Sequence, residues 1–387
     1  MQEAEKLSIL KDLIAINTVN DNEEQIANYL SDLFDKHHVK NEVIDQFEKR
    51  SNIVAEIGHD SGKVLAFAGH EDTVHENNRS EWTKDPFEAT VISDKMYGRG
   101  VTDMKAGLAA MAIAIIELQE AKVKLNGRLK FMATISEELT QGGAHYLCQH
   151  GLVDDVDSMI IGEPTGIQKA GENQHKLIYA HKGALIYTVK SVGKAAHSST
   201  PELGIDAIDN LINYRSAEKK YFAEKMQSDD DLGTTIYTPD IFQGGKQVNS
   251  IPDFAFEQVM VRTIPQLPNQ QIVDDLNAII AKFNQDSNYQ LSLEVNFSGN
   301  PVSSPLDTEV VDVIQTASID QLGTQLETGV LSMGTDASQY QTEKPDLNVF
   351  ILGPGNDTAH RADENIDLKS YYQFIDLYKE VAKGYLK

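Results

Sequence analysis

Apolar residues recur at helical spacing over 3–15 (Leu7, Leu10, Leu13, Ile14) and 22–37 (Ile26, Leu30, Leu33, Phe34), predicting two amphipathic helices. Short apolar runs at 52–57 and 63–68, separated by Gly58-His59-Asp60-Ser61-Gly62, predict strands joined by a hairpin-like connection. The segment 76–86 is polar, holds Trp82 and reads as a surface loop, and 89–96 alternates as an edge strand. Residues 105–121 are apolar almost all round, which predicts a buried helix. A strand at 128–135, a helix at 142–150 and a strand at 158–161 follow, the last running into Gly162-Glu163-Pro164-Thr165. Alternation of this kind predicts an α/β fold, a mostly parallel sheet with helices on both faces.

Near residue 180 the pattern changes. A strand at 184–192, a helix at 204–226, strands at 234–242 and 254–263, a helix at 268–283 and an alternating strand at 291–297 follow. That order, β-α-β-β-α-β, is the order of a ferredoxin-like α+β module. After Pro301 the first pattern resumes, with a helix at 308–322, a strand at 348–352, a Gly353-Pro354-Gly355 turn and a closing helix at 368–386. The organisation expected is a discontinuous α/β domain over 1–180 and 299–387, with the smaller module inserted at 181–298. A chain of 387 residues exceeds what one hydrophobic core usually serves, which agrees with two domains.

Charge narrows the partners. The formal net charge of -25 argues against nucleic acid and against an anionic membrane surface, both of which need positive protein surface. It suits a cluster that binds cations. Cys148 is the one cysteine, so no intrachain disulfide can form, and a cytoplasmic location is expected. The charged start M-Q-E-A-E-K lacks the apolar core of a signal peptide, and the apolar run 106–118 is too short to span a bilayer.

The chemistry collects at predicted strand ends. His70 follows V-L-A-F-A-G, Glu137 and Glu138 follow L-K-F-M-A-T-I-S, Glu163 follows M-I-I-G, and His360 lies beyond V-F-I-L-G-P-G. Asp103 stands at the start of the buried helix. Open α/β sheets bind ligands outside the carboxyl ends of their strands, so these residues are expected on one edge. Two imidazoles and three carboxylates suit a pair of borderline divalent cations, zinc first, with cobalt or manganese as substitutes. Asp103 is the natural bridge, and Asp72 can accept the second ring N–H of His70. Glu137 and Glu138 are neighbours, so one can ligate while the other acts as a base. Singly, each has a plainer reading: a surface histidine, a solvated Glu-Glu helix start, a simple turn, or an acid interacting with a helix dipole. Their joint placement at strand ends favours the metal reading.

The motifs G-H-E-D-T-V (69–74), G-R-G-V-T-D-M-K-A-G (98–107), S-E-E (136–138), G-E-P-T (162–165), G-K-A-A-H-S-S (193–199) and the late A-H (359–360) resemble, in order and over essentially the whole chain, the zinc-dependent acetylornithine deacetylase, succinyl-diaminopimelate desuccinylase, aminoacylase and carboxypeptidase G family, the M20 metallopeptidases. The resemblance implies that His70, Asp103 and Glu163 hold one zinc and that Asp103, Glu138 and His360 hold the other. It makes Glu137 the general base and Asp72 the orienter of His70. It implies that His197, in the inserted module, donates to the oxyanion after domain closure, often from a partner subunit. Glu71 stands where relatives often carry an apolar residue and is expected to point away from the metals.

The implied reaction is hydrolysis of an amide in an N-acyl amino acid or short peptide, by water activated between two metals with Glu137 as base. The first expectation is a desuccinylase, cleaving N-succinyl-LL-2,6-diaminopimelate to succinate and diaminopimelate. Acetylornithine deacetylase, aminoacylase, metallo-dipeptidase and carboxypeptidase activities are the alternatives. Arg262 and Asn249 are candidates for gripping a substrate carboxylate, and Gly334 and Gly355 for lining the pocket. A surface salt bridge is the plainer reading of Arg262. The resemblance also implies that 181–298 acts as a lid and homodimerisation domain. A serine hydrolase is disfavoured because no Gly-x-Ser-x-Gly elbow occurs. A phosphate loop at 58–63 has too few residues between its glycines. A non-catalytic metal-binding relative is the remaining class, set against the presence of every ligand and the base.

Overall fold

Val64 to His70 are buried without a break, so the strand Lys63–His70 has both faces covered and lies inside its sheet. The computed structural model describes residues 1–59, 61–169 and 172–387. It divides into one unit of Met1–Tyr179, Ser303–Gly329 and Thr335–Lys387, and a second of Ala180–Val302 and Val330–Gly334.

In the first unit the strands run in the order Lys40–Phe47, Arg50–Gly58, Gly127–Thr134, Lys63–His70, Ser158–Pro164, Asn348–Gly353. Lys63–His70 is parallel to both neighbours, and Asn348–Gly353 is parallel to Ser158–Pro164. The mostly parallel α/β sheet is thus as expected. The helix Ala106–Glu120 is buried nearly throughout, and packs on the closing helix Leu368–Tyr385 and on the central strands. Its first turn comes close to the strand that bears Glu163. A Cβ added to Gly107 would lie 2.1 Å from the carbonyl oxygen of Gly162, so only glycine permits that approach.

Three local expectations are corrected. The runs at 52–57 and 63–68 form no hairpin, because Gly127–Thr134 lies between them, antiparallel to Arg50–Gly58 and parallel to Lys63–His70. The hairpin partner of Arg50–Gly58 is Lys40–Phe47, a polar strand; Asp60, in the connection between the two runs, lies outside the described residues. Residues 89–96 fold as two paired strands, Thr90–Ile92 and Lys95–Tyr97, since Ser93 takes a φ of 55° and reverses the chain. The helix expected from 204 begins at Ala207, where the Asp206 side chain accepts the N–H groups of Ile208 and Asp209.

The second unit is built on an antiparallel sheet in the order Ile236–Gly244, Phe254–Thr263, Gly183–Val192, Leu291–Gly299. Alternate residues of Phe254–Thr263 are buried, so one face of the sheet is covered. The helices Ala207–Lys225 and Asn269–Phe283 supply Leu211, Tyr214, Ile272 and Leu276 to a core shared with Leu185, Tyr187, Val259 and Val261. Among the described residues no helix is long and apolar enough to cross a membrane.

Candidate metal centre

The parallel strands of the first unit bring polar groups to one edge of the sheet because they all end there. His70 is the last residue of its strand, and Glu163 lies near the end of Ser158–Pro164. Glu137 and Glu138 follow Gly127–Thr134 across a turn in which Ser136 takes a φ of 63°. His360 follows Asn348–Gly353 and itself adopts a φ of 62°. Asp103 precedes the helix Ala106–Glu120, in a segment that leaves helical geometry at Asp103 and Met104.

These side chains converge. His70 Nε2 lies 3.1 Å from Asp103 Oδ1 and 3.4 Å from Glu163 Oε1. His360 Nε2 lies 3.2 Å from Asp103 Oδ2 and 3.2 Å from Glu138 Oε1. Asp103 therefore presents one oxygen to each imidazole, with Glu163 on one side and Glu138 on the other. Metal-ligating atoms of His70, Asp103 and Glu138 all fall within 4.8 Å of one another, as do those of His70, Glu137 and Glu163. Glu137 is thus within reach of a ligand position.

The donor set fits divalent cations. Four carboxylates, of Asp103, Glu137, Glu138 and Glu163, face two imidazoles, and packed acids at this spacing require compensating positive charge. The tautomer of His70 is suited as well. Its Nδ1 lies 2.9 Å from the main-chain oxygen of Asp72, which takes the ring proton and leaves Nε2 with its lone pair facing the acids.

Electrostatics reflect this crowding. Burial and the Asp103 carboxylate push Glu163 up to about 8, with His70 opposing. Burial, with help from Glu163, Asp336 and Glu138, holds Glu137 well above the ordinary carboxylate range despite His70. Burial acts in the same direction on Asp103, but contacts with His360 and His70 outweigh it and keep this carboxyl well below its usual range. Hydrogen bonds with Asp103 and Glu138 raise His360 to about 10. A cation entering such a site must displace protons, so its affinity rises with pH.

Asp72 meets the His70 ring through a different atom from the one expected. The ring faces its main-chain oxygen, while the carboxylate, 3.6 Å away, is beyond hydrogen-bond reach. That carboxylate instead accepts the N–H groups of Glu137 at 3.0 Å and Glu138 at 3.2 Å, so it fixes the segment bearing both acids. Glu71 is fully buried and belongs to neither ligand group. Burial, with Glu23 and Asp72, holds it well above the ordinary carboxylate range. Trp82 is tucked in rather than exposed: its indole N–H donates to Glu76 O at 2.9 Å and its ring lies 5.2 Å from the Arg99 guanidinium.

Of two further acids near the centre, Asp336 lies in the segment 334–338, which reads in the sequence as pocket lining or as a plain helix cap, and Glu364 had no signal in the residue pattern. Asp336 makes no cap to its helix; it accepts the Thr134 hydroxyl at 2.6 Å, and burial pushes it up to about 6. Glu364, fully buried, receives backbone N–H groups from the Asp103 segment. Gly355 packs against the Asp103 and Glu163 segments, where a Cβ would meet Thr102 O at 2.4 Å and Pro164 Cβ at 2.7 Å. The remaining candidates, His197, Asn249, Arg262 and Gly334, belong to the second unit. His197 is exposed and its Nδ1 lies 2.7 Å from Ser199 Oγ, while the main-chain oxygen of the exposed Asn249 accepts the N–H of Ser198 at 3.1 Å. Arg262 is half-buried, and among the described residues no carboxylate pairs with it.

Comparison with known proteins bears on this centre. Residues 66–384 match the family described as Peptidase family M20/M25/M40. A Staphylococcus aureus (strain MRSA252) protein named "Probable succinyl-diaminopimelate desuccinylase" is 38% identical, over 100% of this chain and 98% of its own length. The acetylornithine deacetylase of Buchnera aphidicola is 30% identical over 93% of each chain. Among solved structures, an M20 family metallo-carboxypeptidase from Sulfolobus solfataricus superposes with a TM-score of 0.81 at 21% identity, covering 100% of this chain and 99% of the other. The match over most of the chain, the relatives that align from end to end and the shared fold give one conclusion: the chain belongs to peptidase family M20/M25/M40.

Proposed function

We propose that the protein is a two-metal amidohydrolase that removes a succinyl group from N-succinyl-LL-2,6-diaminopimelate. The observation that carries the two-metal reading is Asp103, with one oxygen toward His70 and the other toward His360. The substrate rests on the desuccinylase name borne by the 38% identical relative. In this reading His70, Asp103 and Glu163 hold one ion, and Asp103, Glu138 and His360 the other. Zinc is the first choice for a nitrogen and oxygen donor set, with cobalt or manganese as substitutes. When bound, the ions supply an acidified water and a polarised carbonyl.

Glu137 takes a proton from the attacking water as the oxygen–carbon bond forms. It returns that proton to the nitrogen as the carbon–nitrogen bond breaks, leaving succinate and the free amine. His197 serves as the oxyanion donor and Arg262 and Asn249 grip a substrate carboxylate; Gly334 and Gly355 line the pocket. His197→Ala is expected to lower kcat by about 10²–10³-fold with metal content unchanged. An unchanged kcat removes that role.

Residues 181–298 form a lid and dimerisation domain in this reading, and the enzyme works in the cytoplasm. Ile236, Ile241 and Phe242 are exposed on an edge strand, which favours pairing there. Light scattering that returns a monomer would remove the dimer. The substrate test is a panel of N-succinyl-diaminopimelate, N-acetylornithine, other N-acyl amino acids and dipeptides with zinc-loaded protein. The succinylated substrate is expected to give the highest kcat/KM. A higher value for acetylornithine or a dipeptide would move the protein to that branch, and no hydrolysis would leave a metal-binding relative without catalysis.

A further inference from the structure

Glu364 lies four residues beyond His360 and is fully buried, yet it belongs to neither group of candidate metal ligands. One of its oxygens accepts the N–H groups of Thr102 at 2.8 Å and Asp103 at 3.1 Å. The other accepts the N–H of Gly100 at 3.1 Å and pairs with the buried Arg99 guanidinium. A single carboxylate thus takes four donors from the segment that aims Asp103. Charge-assisted bonds of this kind are short and directional, and their loss would strand buried N–H groups. The next residue extends the tie: Thr102 Oγ1 donates to Asn365 O at 2.7 Å.

We infer that Glu364 is a positioning residue that sets the two sites unequally, an inference that rests on the two-metal reading above. His70 and Glu163 sit on strands held by their own sheet pairing, so the site they form depends on Glu364 only through Asp103. The other site takes both Asp103 and His360 from the two segments that Glu364 ties together. Removing the carboxylate should therefore weaken the Glu138–His360 site far more than the His70–Glu163 site. Glutamine keeps the size but has one acceptor oxygen, and its amide would face either the backbone N–H groups or the guanidinium.

The test is zinc titration of chelator-stripped protein, read as two dissociation constants, with thermal melting to verify folding. In Glu364→Gln the ion at the His70–Glu163 site, which shares only Asp103 with the disturbed segments, is expected to lose clearly less affinity than the other, which should bind about 10- to 100-fold more weakly. In a His360→Ala background, where only the His70–Glu163 site remains, adding Glu364→Gln should weaken zinc binding by clearly less than the ~10- to 100-fold expected at the other site in the wild-type background. Equal loss at both sites, no loss at either, or a large further loss in the His360→Ala background overturns the inference. Wild-type protein that binds fewer than two zinc ions overturns the two-metal reading as well. Wild type with two ions and a variant that loses both equally overturns the positioning role alone. Should Glu364→Gln fail to melt cooperatively, Glu364→Asp carries the same comparison: it keeps the charge but draws the carboxylate back from the 100–103 segment, and the same unequal loss is expected at smaller amplitude.

Discussion

Glu137→Gln is expected to lower kcat by about 10²–10⁴-fold while two metal ions stay bound. Glutamine has the shape of the acid but cannot take the proton of the attacking water. The residue is held in place for that exchange: its N–H donates to the Asp72 carboxylate at 3.0 Å. The same geometry offers a competing role, because Glu137 shares a ligand-sized cluster with His70 and Glu163. The two roles separate in elemental analysis of the purified variant. Two ions with turnover lost support the base; one ion lost makes Glu137 a ligand.

The second large effect is at Asp103. Asp103→Asn is expected to abolish turnover and to weaken both ions, since one oxygen faces each site. Outer contacts to metal ligands alone are worth about 10- to 100-fold in affinity, so loss of a shared ligand should exceed about 100-fold for each ion. His360→Ala provides the contrast, because the His360 imidazole faces Asp103 and Glu138 and its loss should cost one ion. Metal content after dialysis against a weak chelator reads the difference. An Asp103→Asn protein that retains one ion at wild-type affinity would remove the bridging assignment.

Much of this was legible in the residue pattern because the chemistry sits where the periodicity ends. An apolar run that stops at His70 or Glu163 marks both a buried strand and the group at its tip. The sheet neighbours were less legible. The runs at 52–57 and 63–68 are adjacent in the chain, and nothing local reveals that Gly127–Thr134 enters between them. Lys40–Phe47 went unread because exposed and half-buried polar residues make up most of it. Glu364, and the atoms through which Asp72 acts, were hidden for a different reason. Asp72 acts through its main-chain oxygen toward His70 and through its carboxylate toward Glu137 and Glu138, and Glu364 collects donors from residues more than 260 positions away. Such roles depend on backbone N–H groups that carry no residue identity.

The central claim is that two cations held around Asp103 are required for amide hydrolysis. Its most direct test is titration of chelator-stripped protein with zinc, following bound metal and hydrolysis of N-succinyl-diaminopimelate in the same samples. The expected result is no turnover without metal, binding that saturates at two ions per chain, and full activity restored at saturation. Turnover by the metal-free protein, or saturation at a single ion with full activity, would contradict it.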